Sequence, residues 1–267
     1  MRMESSGETV GSVVATGFNF LVYAILALPA VVIVLASLTS SSALSFPPTG
    51  FSLEWYGRAF QNSQMMQGLA FSVQLALFAT FFALVFGIPA AYALSRYRFS
   101  GRETIHAILL SPFLVPAIIV AIGILQLLSM LGMTRSLLGL ALGHLVATLP
   151  YVVKNMTVVF SLLDPSLEQA ARSLRANSWV TLRRVTLPVL FPGVLSSAMF
   201  AFVISFGNLT ISMFLSGTGI VTLPVQMYSY VDQSIDPMIA AVSSIVIFVT
   251  VIMILLAERI VGLQRMV

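Results

Sequence analysis

The side chains able to do chemistry are few and poorly arranged for catalysis. Lysine occurs once, at Lys154, the only histidines are His106 and His144, and cysteine is absent. No disulfide or thiolate metal site can form, and two separated histidines do not make a metal centre. A lysine that grips nucleotide phosphates needs a G-x-x-x-x-G-K setting, in which backbone amides cradle the phosphates. Lys154 has no such loop before it, so the chain is expected to hydrolyse no nucleotide and to bind no cofactor. Serines are plentiful, but no serine–histidine or metal-ligand pattern organises them into an enzyme site.

Two other patterns carry information of a non-catalytic kind. The first lies between residues 164 and 188. Asp164 followed by Pro165 is a helix start, a capping side chain and then a fixed φ in the first turn. Leu167, Ala170, Ala171 and Leu174 recur at i, i+3, i+4 and i+7 and form one apolar face. Glu168, Arg172 and Arg175 form another, with Glu168 and Arg172 at ion-pair spacing. Asn177 and Ser178 suit a turn and a new N-cap. A second short amphipathic helix then runs from Trp179 to about Arg184, ahead of Pro188. Read alone, this helix–turn–helix either rests on lipid headgroups or docks a soluble partner.

The second pattern is a stripe of small and polar residues, Ser197, Ala201, Ser205, Asn208 and Ser212, on one side of a long apolar segment. Such a stripe either lines a hydrated path or allows close helix packing with cross-helix hydrogen bonds. Lys154 lies late in another apolar segment, beside Asn155. It is expected to snorkel to the headgroups or to make a structural pair rather than to gate. His144 is expected to be packed and hydrogen-bonded, and Pro112, Pro116 and Pro150 to bend helices.

The elements that position these residues are membrane helices. Hydrophobic residues make up 58% of the 267 and charged residues 8%. With charge that sparse, against about 25% in soluble domains, no ordinary aqueous surface can be built. Six segments reach the roughly 20 apolar residues that a crossing needs: about 17–38, 68–94, 106–131, 137–160, 187–216 and 238–257. The fifth is too long for one simple span. Arginines fall between the second and third spans (Arg96, Arg98, Arg102), between the fourth and fifth (Arg172, Arg175, Arg183, Arg184) and after the sixth (Arg259, Arg265). The alternate loops hold only Arg58 and Arg135, so the positive-inside rule places both termini in the cytoplasm. This clustering also assigns the net charge of +4 to membrane topology rather than to nucleic acid. Outside, Phe46 to Gly50 reads as a turn. Ser52 caps a short helix, Leu53 to Phe60, whose Leu53, Tyr56 and Phe60, with Trp55, suit the outer leaflet. No internal repeat appears, and 1–267 reads as a single transmembrane domain.

The 164–188 segment resembles the EAA loop of type I ABC importer permeases. Gln169-Ala170-Ala171 stand for E-A-A, Arg175 stands at the family's glycine, and Val185-Thr186-Leu187-Pro188 match I-x-L-P. The resemblance implies an all-α fold of six transmembrane helices, with coupling helices between the fourth and fifth at about 164–185. There Glu168, Gln169, Ala170, Ala171, Arg172, Leu174, Arg175 and Trp179 would engage a separate ATPase. It also implies a second permease subunit, two ATPase subunits carrying ATP and Mg, an external solute-binding protein, and a bacterial inner-membrane location.

Pro47 to Tyr56, Leu215-Ser216-Gly217, Thr222-Leu223-Pro224 and Asp236 to Ser243 are similar to the second permease subunit of putrescine/spermidine-type transporters. That likeness suggests a polyamine or another small polar solute, with Ser197, Ser205, Asn208 and Ser212 along its path. Two departures stand out. The turn glycine is Arg175, so either the left-handed turn shifts toward Asn177 or Arg175 contacts the partner. The stretch Phe206 to Leu209, often acidic in that branch, carries no charge. The competing reading is a secondary transporter or channel not driven by ATP. Such a protein would usually carry ion-coupling charges within its spans and repeat symmetry.

Overall fold

The structure is a computed structural model and describes residues 4–217 and 219–261. It is built of α-helices: α1 Glu4–Ala36, α2 Glu54–Gln61, α3 Ser63–Arg96, α4 Arg102–Leu114, α5 Ala117–Met130, α6 Leu137–Leu162, α7 Pro165–Ser173, α8 Ser178–Thr181, α9 Leu187–Phe206, α10 Leu209–Leu215, α11 Leu223–Gln233 and α12 Met238–Val261. A π-helical turn, Leu182–Thr186, joins α8 to α9. Among the described residues five helices are long and apolar enough to span a membrane, and α4 with α5, bent by 109°, supplies a sixth if that pair is one span. The expected third span is therefore broken, at Val115 and Pro116. Pro116 has no N–H to continue the ladder and favours extended backbone in the residue before it, and Val115 is extended at ψ 139°. The expected fifth span is α9 plus α10, interrupted at Gly207 and Asn208.

The described residues divide into two compact units, one within 1–62 and 230–249, the other within 63–229 and 250–267. In the first, a hydroxyl relay runs from Ser37 Oγ to Tyr56 OH at 2.7 Å and on to Ser244 Oγ at 2.9 Å. Ser52 Oγ accepts from the Glu54 amide at 3.1 Å, ahead of α2. Trp55, expected to lie on the leaflet, is buried, while Leu53 and Phe60 are exposed. Helical spacing explains this split, because Trp55 and Ala59 share the inward face at i and i+4.

The second unit is organised around α3, α6 and α9. Ala76, Ala79, Ala83, Gly87 and Ala91 make a buried small-residue seam along α3. Within lipid, where apolar contact alone does not drive helices together, such seams let backbones approach and dispersion contacts accumulate. The fit is close: a Cβ on Gly87 would sit 2.7 Å from Val152 of α6, and one on Gly193 of α9 would sit 2.6 Å from Val159. Met156, Phe160 and Leu190 complete this core. At the arginine-rich end, Arg96 donates to the Leu163 carbonyl at 3.0 Å and Arg102 to the Leu94 carbonyl at 2.7 Å. Both guanidinium groups thus satisfy carbonyls at helix C-termini, where positive charge is favoured. Arg265 lies outside the described residues.

Candidate coupling loop and translocation path

The loop after α6 is capped at both of its turns. Asp164 accepts from the Ser166 amide at 2.8 Å and starts α7, with Pro165 at the first helical position. These hydrogen bonds hold the Asp164 carboxyl below its ordinary pKa. At the other end the Ala176 amide returns to the Ala171 carbonyl at 3.1 Å, closing a Schellman-type turn. The left-handed residue in that turn is Arg175, at φ 60°. The turn has therefore not shifted to Asn177. Asn177 instead accepts from the Val180 amide at 2.8 Å and caps α8. The second coupling helix is not free-standing, because α8 and the π turn continue into α9 as one helical run from Trp179 to Phe206.

The faces of α7 differ from a self-contained amphipathic helix. Ala171 is buried, but Leu167 and Ala170 are exposed, and Leu174 and Trp179 are 84% and 67% exposed. Gln169, Arg172 and Arg175 are exposed as well. The expected Glu168–Arg172 ion pair is not formed; among the described residues the ion pairs are Arg58–Glu54 and Arg102–Glu103. Glu168 instead accepts from the Thr186 hydroxyl at 3.0 Å, tying α7 to the start of α9. Arg172, Arg175, Arg183 and Arg184 thus have no carboxylate partner among the described residues. Exposed apolar side chains and four arginines without a carboxylate partner among the described residues thus fall in the segment that runs into a long apolar helix.

The stripe on α9 and α10 turns the other way. Ser197, Ala201, Ser205 and Ser212 are buried. Asn155 of α6 donates to Ser197 Oγ at 2.8 Å. His144, 1% exposed, meets Ser205 Oγ at 2.9 Å through Nδ1 and Ser212 Oγ at 3.0 Å through Nε2. One imidazole on α6 therefore holds both halves of the interrupted fifth span. In this conformation the serine hydroxyls face α6 rather than open space. Asn208, half-buried, accepts from the Ile211 amide at 2.9 Å and caps α10. Gly207 beside it is exposed.

Sequence reasoning singled out His144 and Ser205 but not their pairing, since spacing along one helix carries no information about the partner helix. Thr186 as the partner of Glu168, and Phe113 as that of Lys154, were missed for the same reason. Lys154 is exposed on α6, and its Nζ lies 4.6 Å from the centre of the Phe113 ring, which meets Tyr151 at 5.2 Å. The expected structural pair is thus cation–π. No group of three or more histidine, cysteine or acidic residues among the described residues could hold a metal ion.

Comparison with known proteins identifies the class. Residues 83–264 match the family described as the binding-protein-dependent transport system inner membrane component. The chain belongs to this family and is a permease subunit of an ABC importer, a multi-pass inner-membrane protein. Among its relatives is the spermidine/putrescine transport system permease protein PotC of Haemophilus influenzae. It is 32% identical over 91% of this chain and 94% of its own length. Another, PhnV, assigned to a 2-aminoethylphosphonate transport system in Salmonella typhimurium, is 30% identical over 87% of this chain and 88% of its own. In fold the chain is similar to a crystallised bacterial ABC transporter involved in alginate import, with a TM-score of 0.69 at 18% identity over 98% of this chain and 99% of that one.

Proposed function

We propose that this permease forms half of a solute path with a second permease, and that its 164–185 loop docks one of two ATPase subunits, which bind ATP and Mg. Both termini then lie in the cytoplasm, with the arginine-rich ends of α3 and α6 on that side. An external binding protein delivers solute to the opposite face. Closure of the ATPase pair pushes α7, and because Glu168 is tied to Thr186 and α8 runs into α9, the push reaches the fifth span as a rigid-body motion. The observation that carries this reading is the open surface of Leu167, Ala170, Leu174 and Trp179. Exposed apolar groups on a segment that also carries unpaired cations fit a protein-docking site rather than a finished surface.

The relatives' named solutes have one chemistry in common, a small aliphatic primary amine. We therefore propose an amine of that class as solute, the polyamines included. The test is uptake into proteoliposomes holding the permease pair, the ATPase and the binding protein. Uptake of labelled putrescine, spermidine or 2-aminoethylphosphonate that needs internal ATP, and that disappears with Leu174→Glu, supports the reading. Uptake independent of ATP would favour an ion-driven transporter or channel and overturn it.

A further inference from the structure

Electrostatics narrows the solute further, on the footing of the amine reading and orientation proposed above. No Asp or Glu occurs between Trp55 and Arg102, between Thr104 and Leu163, or between Gln169 and Val231. The whole unit that contains α3 to α10 thus carries its acids only at Glu103, Asp164, Glu168 and Glu258, all at the arginine-rich ends of the helices. Its membrane interior and its opposite end hold no negative charge at all.

They do hold two cations. At the outer end Arg135 sits in the short connection between α5 and α6, at φ 55°. Its backbone packs on Gly217, where a Cβ would collide with the Arg135 carbonyl, so the surroundings hold a conformation that side chains seldom adopt. The guanidinium has no carboxylate or hydrogen-bond acceptor among the described residues. It borders a cavity of about 610 Å³ that Gln126, Ser129, Thr134 and Phe214 also line. That volume lies within the range of small-molecule sites, and a mainly apolar wall with a few polar groups is their usual lining.

The second cation is Lys154. It lies eight residues before the end of α6 at Leu162, so at 1.5 Å per residue it is about 12 Å from that end. An exposed ammonium at such depth is costly against lipid, and intramembrane charges face cavities or subunit partners. The ammonium covers one face of Phe113. That π face is the local group best suited to attract a substrate cation, and a protein cation already occupies it. A dication such as putrescine meets repulsion at both points, with no carboxylate of this unit's interior or outer end to offset it.

We propose that the transported amine also carries an anionic group, a phosphonate or carboxylate, received at the outer cavity by Arg135 and deeper in the membrane by Lys154. Gln126, Ser129 and Thr134 add neutral hydrogen-bonding capacity beside Arg135.

The experiment uses the assembled transporter in nanodiscs or proteoliposomes, with 2-aminoethylphosphonate and putrescine as labelled probes. Binding is measured without the binding protein, so that its selectivity does not enter. The wild type is expected to bind and import 2-aminoethylphosphonate at least about tenfold better than putrescine. Lys154→Gln and Arg135→Gln are expected to raise its half-saturating concentration about tenfold each, with Lys154→Arg restoring it and Lys154→Glu inverting the preference toward putrescine. Binding of putrescine in preference to 2-aminoethylphosphonate, with putrescine imported, overturns this proposal and leaves the amine reading standing. Import of neither by a complex that hydrolyses ATP overturns both. Loss of complex assembly in Lys154→Gln, or of binding-protein stimulation in Arg135→Gln, would assign these cations to subunit contacts and overturn the proposal too.

Discussion

The coupling loop and the α6–α9–α10 interior place residues against type in opposite ways. The loop exposes Leu174 and Trp179 and leaves four arginines without a carboxylate partner among the described residues. The interior buries His144, Ser197, Ser205 and Ser212, each hydrogen-bonded within the chain. An apolar group left in water and a charge left unpaired are unfinished within this chain. A buried polar group with partners is finished. On the proposed reading, the loop's defects belong to an interface and the interior's polar groups to the subunit's own stability. Substitutions in the two regions should separate along that line.

The largest effect is expected in the loop. Leu174→Glu puts a charge where the partner's groove should be apolar, and Trp179→Ala removes a large aromatic anchor of the kind that dominates interfaces. Each should weaken the complex by about 2 kcal/mol or more, a loss of more than tenfold in affinity. The check is paired: co-purification with the ATPase should fail, while the unfolding temperature of the isolated permease in detergent stays unchanged. A fall in that temperature would mean that the loop surface is internal structure, and the contrast with the interior would collapse.

His144→Leu reverses the pattern. It strands the hydroxyls of Ser205 and Ser212, and a buried unsatisfied group costs about 1–3 kcal/mol. Cross-helix hydrogen bonds in membranes average nearer 0.6 kcal/mol, so a total of about 1–3 kcal/mol is expected. It should appear as lower thermal stability with ATPase binding retained. A His144→Leu, Ser205→Ala, Ser212→Ala triple variant removes all three polar partners and should recover part of the loss.

These two regions were also unequally legible in the sequence. Loop boundaries came from local chemistry: Asp164-Pro165 starts α7, Asn177 caps α8, and both act within three residues. Apolar runs located the spans, because the period of a membrane helix is weak but its length is not. What sequence reasoning missed lies between helices. Glu168 stands at ion-pair spacing from Arg172, yet Thr186, 18 residues away, takes its carboxylate. The stripe on α9 was visible, but the face it meets depends on His144 and Asn155 of α6, to which spacing on α9 is blind. The break at Gly207 was hidden inside an apolar run, whereas the bend at Pro116 was expected from the proline, though not its 109° size.

A smaller effect sharpens the comparison inside the loop itself. Arg175 holds a left-handed conformation that costs a non-glycine residue roughly 1–2 kcal/mol. Arg175→Gly should therefore steady the turn, seen as slower amide exchange at Arg175 and Ala176. If the guanidinium serves the interface, the same variant should bind the ATPase less tightly. Stability and coupling would then move in opposite directions at one residue. Equal or tighter binding would make Arg175 a tolerated defect.

The smallest effect is at Asp164, fully exposed at the start of α7. Its carboxyl titrates below the ordinary aspartate range because the Ser166 backbone amide, and secondarily the Ser166 side chain, donate to it. A depressed folded-state pKa means that the cap contributes fully above the unfolded-state value. The contribution is lost as pH falls below about 4 and through the lower folded-state value. Amide exchange at Ser166 and Leu167 should accordingly rise, relative to intrinsic rates, only at acid pH. Asp164→Asn keeps an acceptor oxygen without the charge, so it should retain the cap and abolish this pH dependence. Asp164→Ala should lose the cap at every pH. Because α7 carries the proposed docking face while α6 is held by its own core, fraying here should reduce ATPase binding slightly and leave the unfolding temperature of the membrane body unmoved. If acid pH or Asp164→Ala lowered that temperature, α7 would be part of the folded core, and the loop would no longer stand apart from the interior.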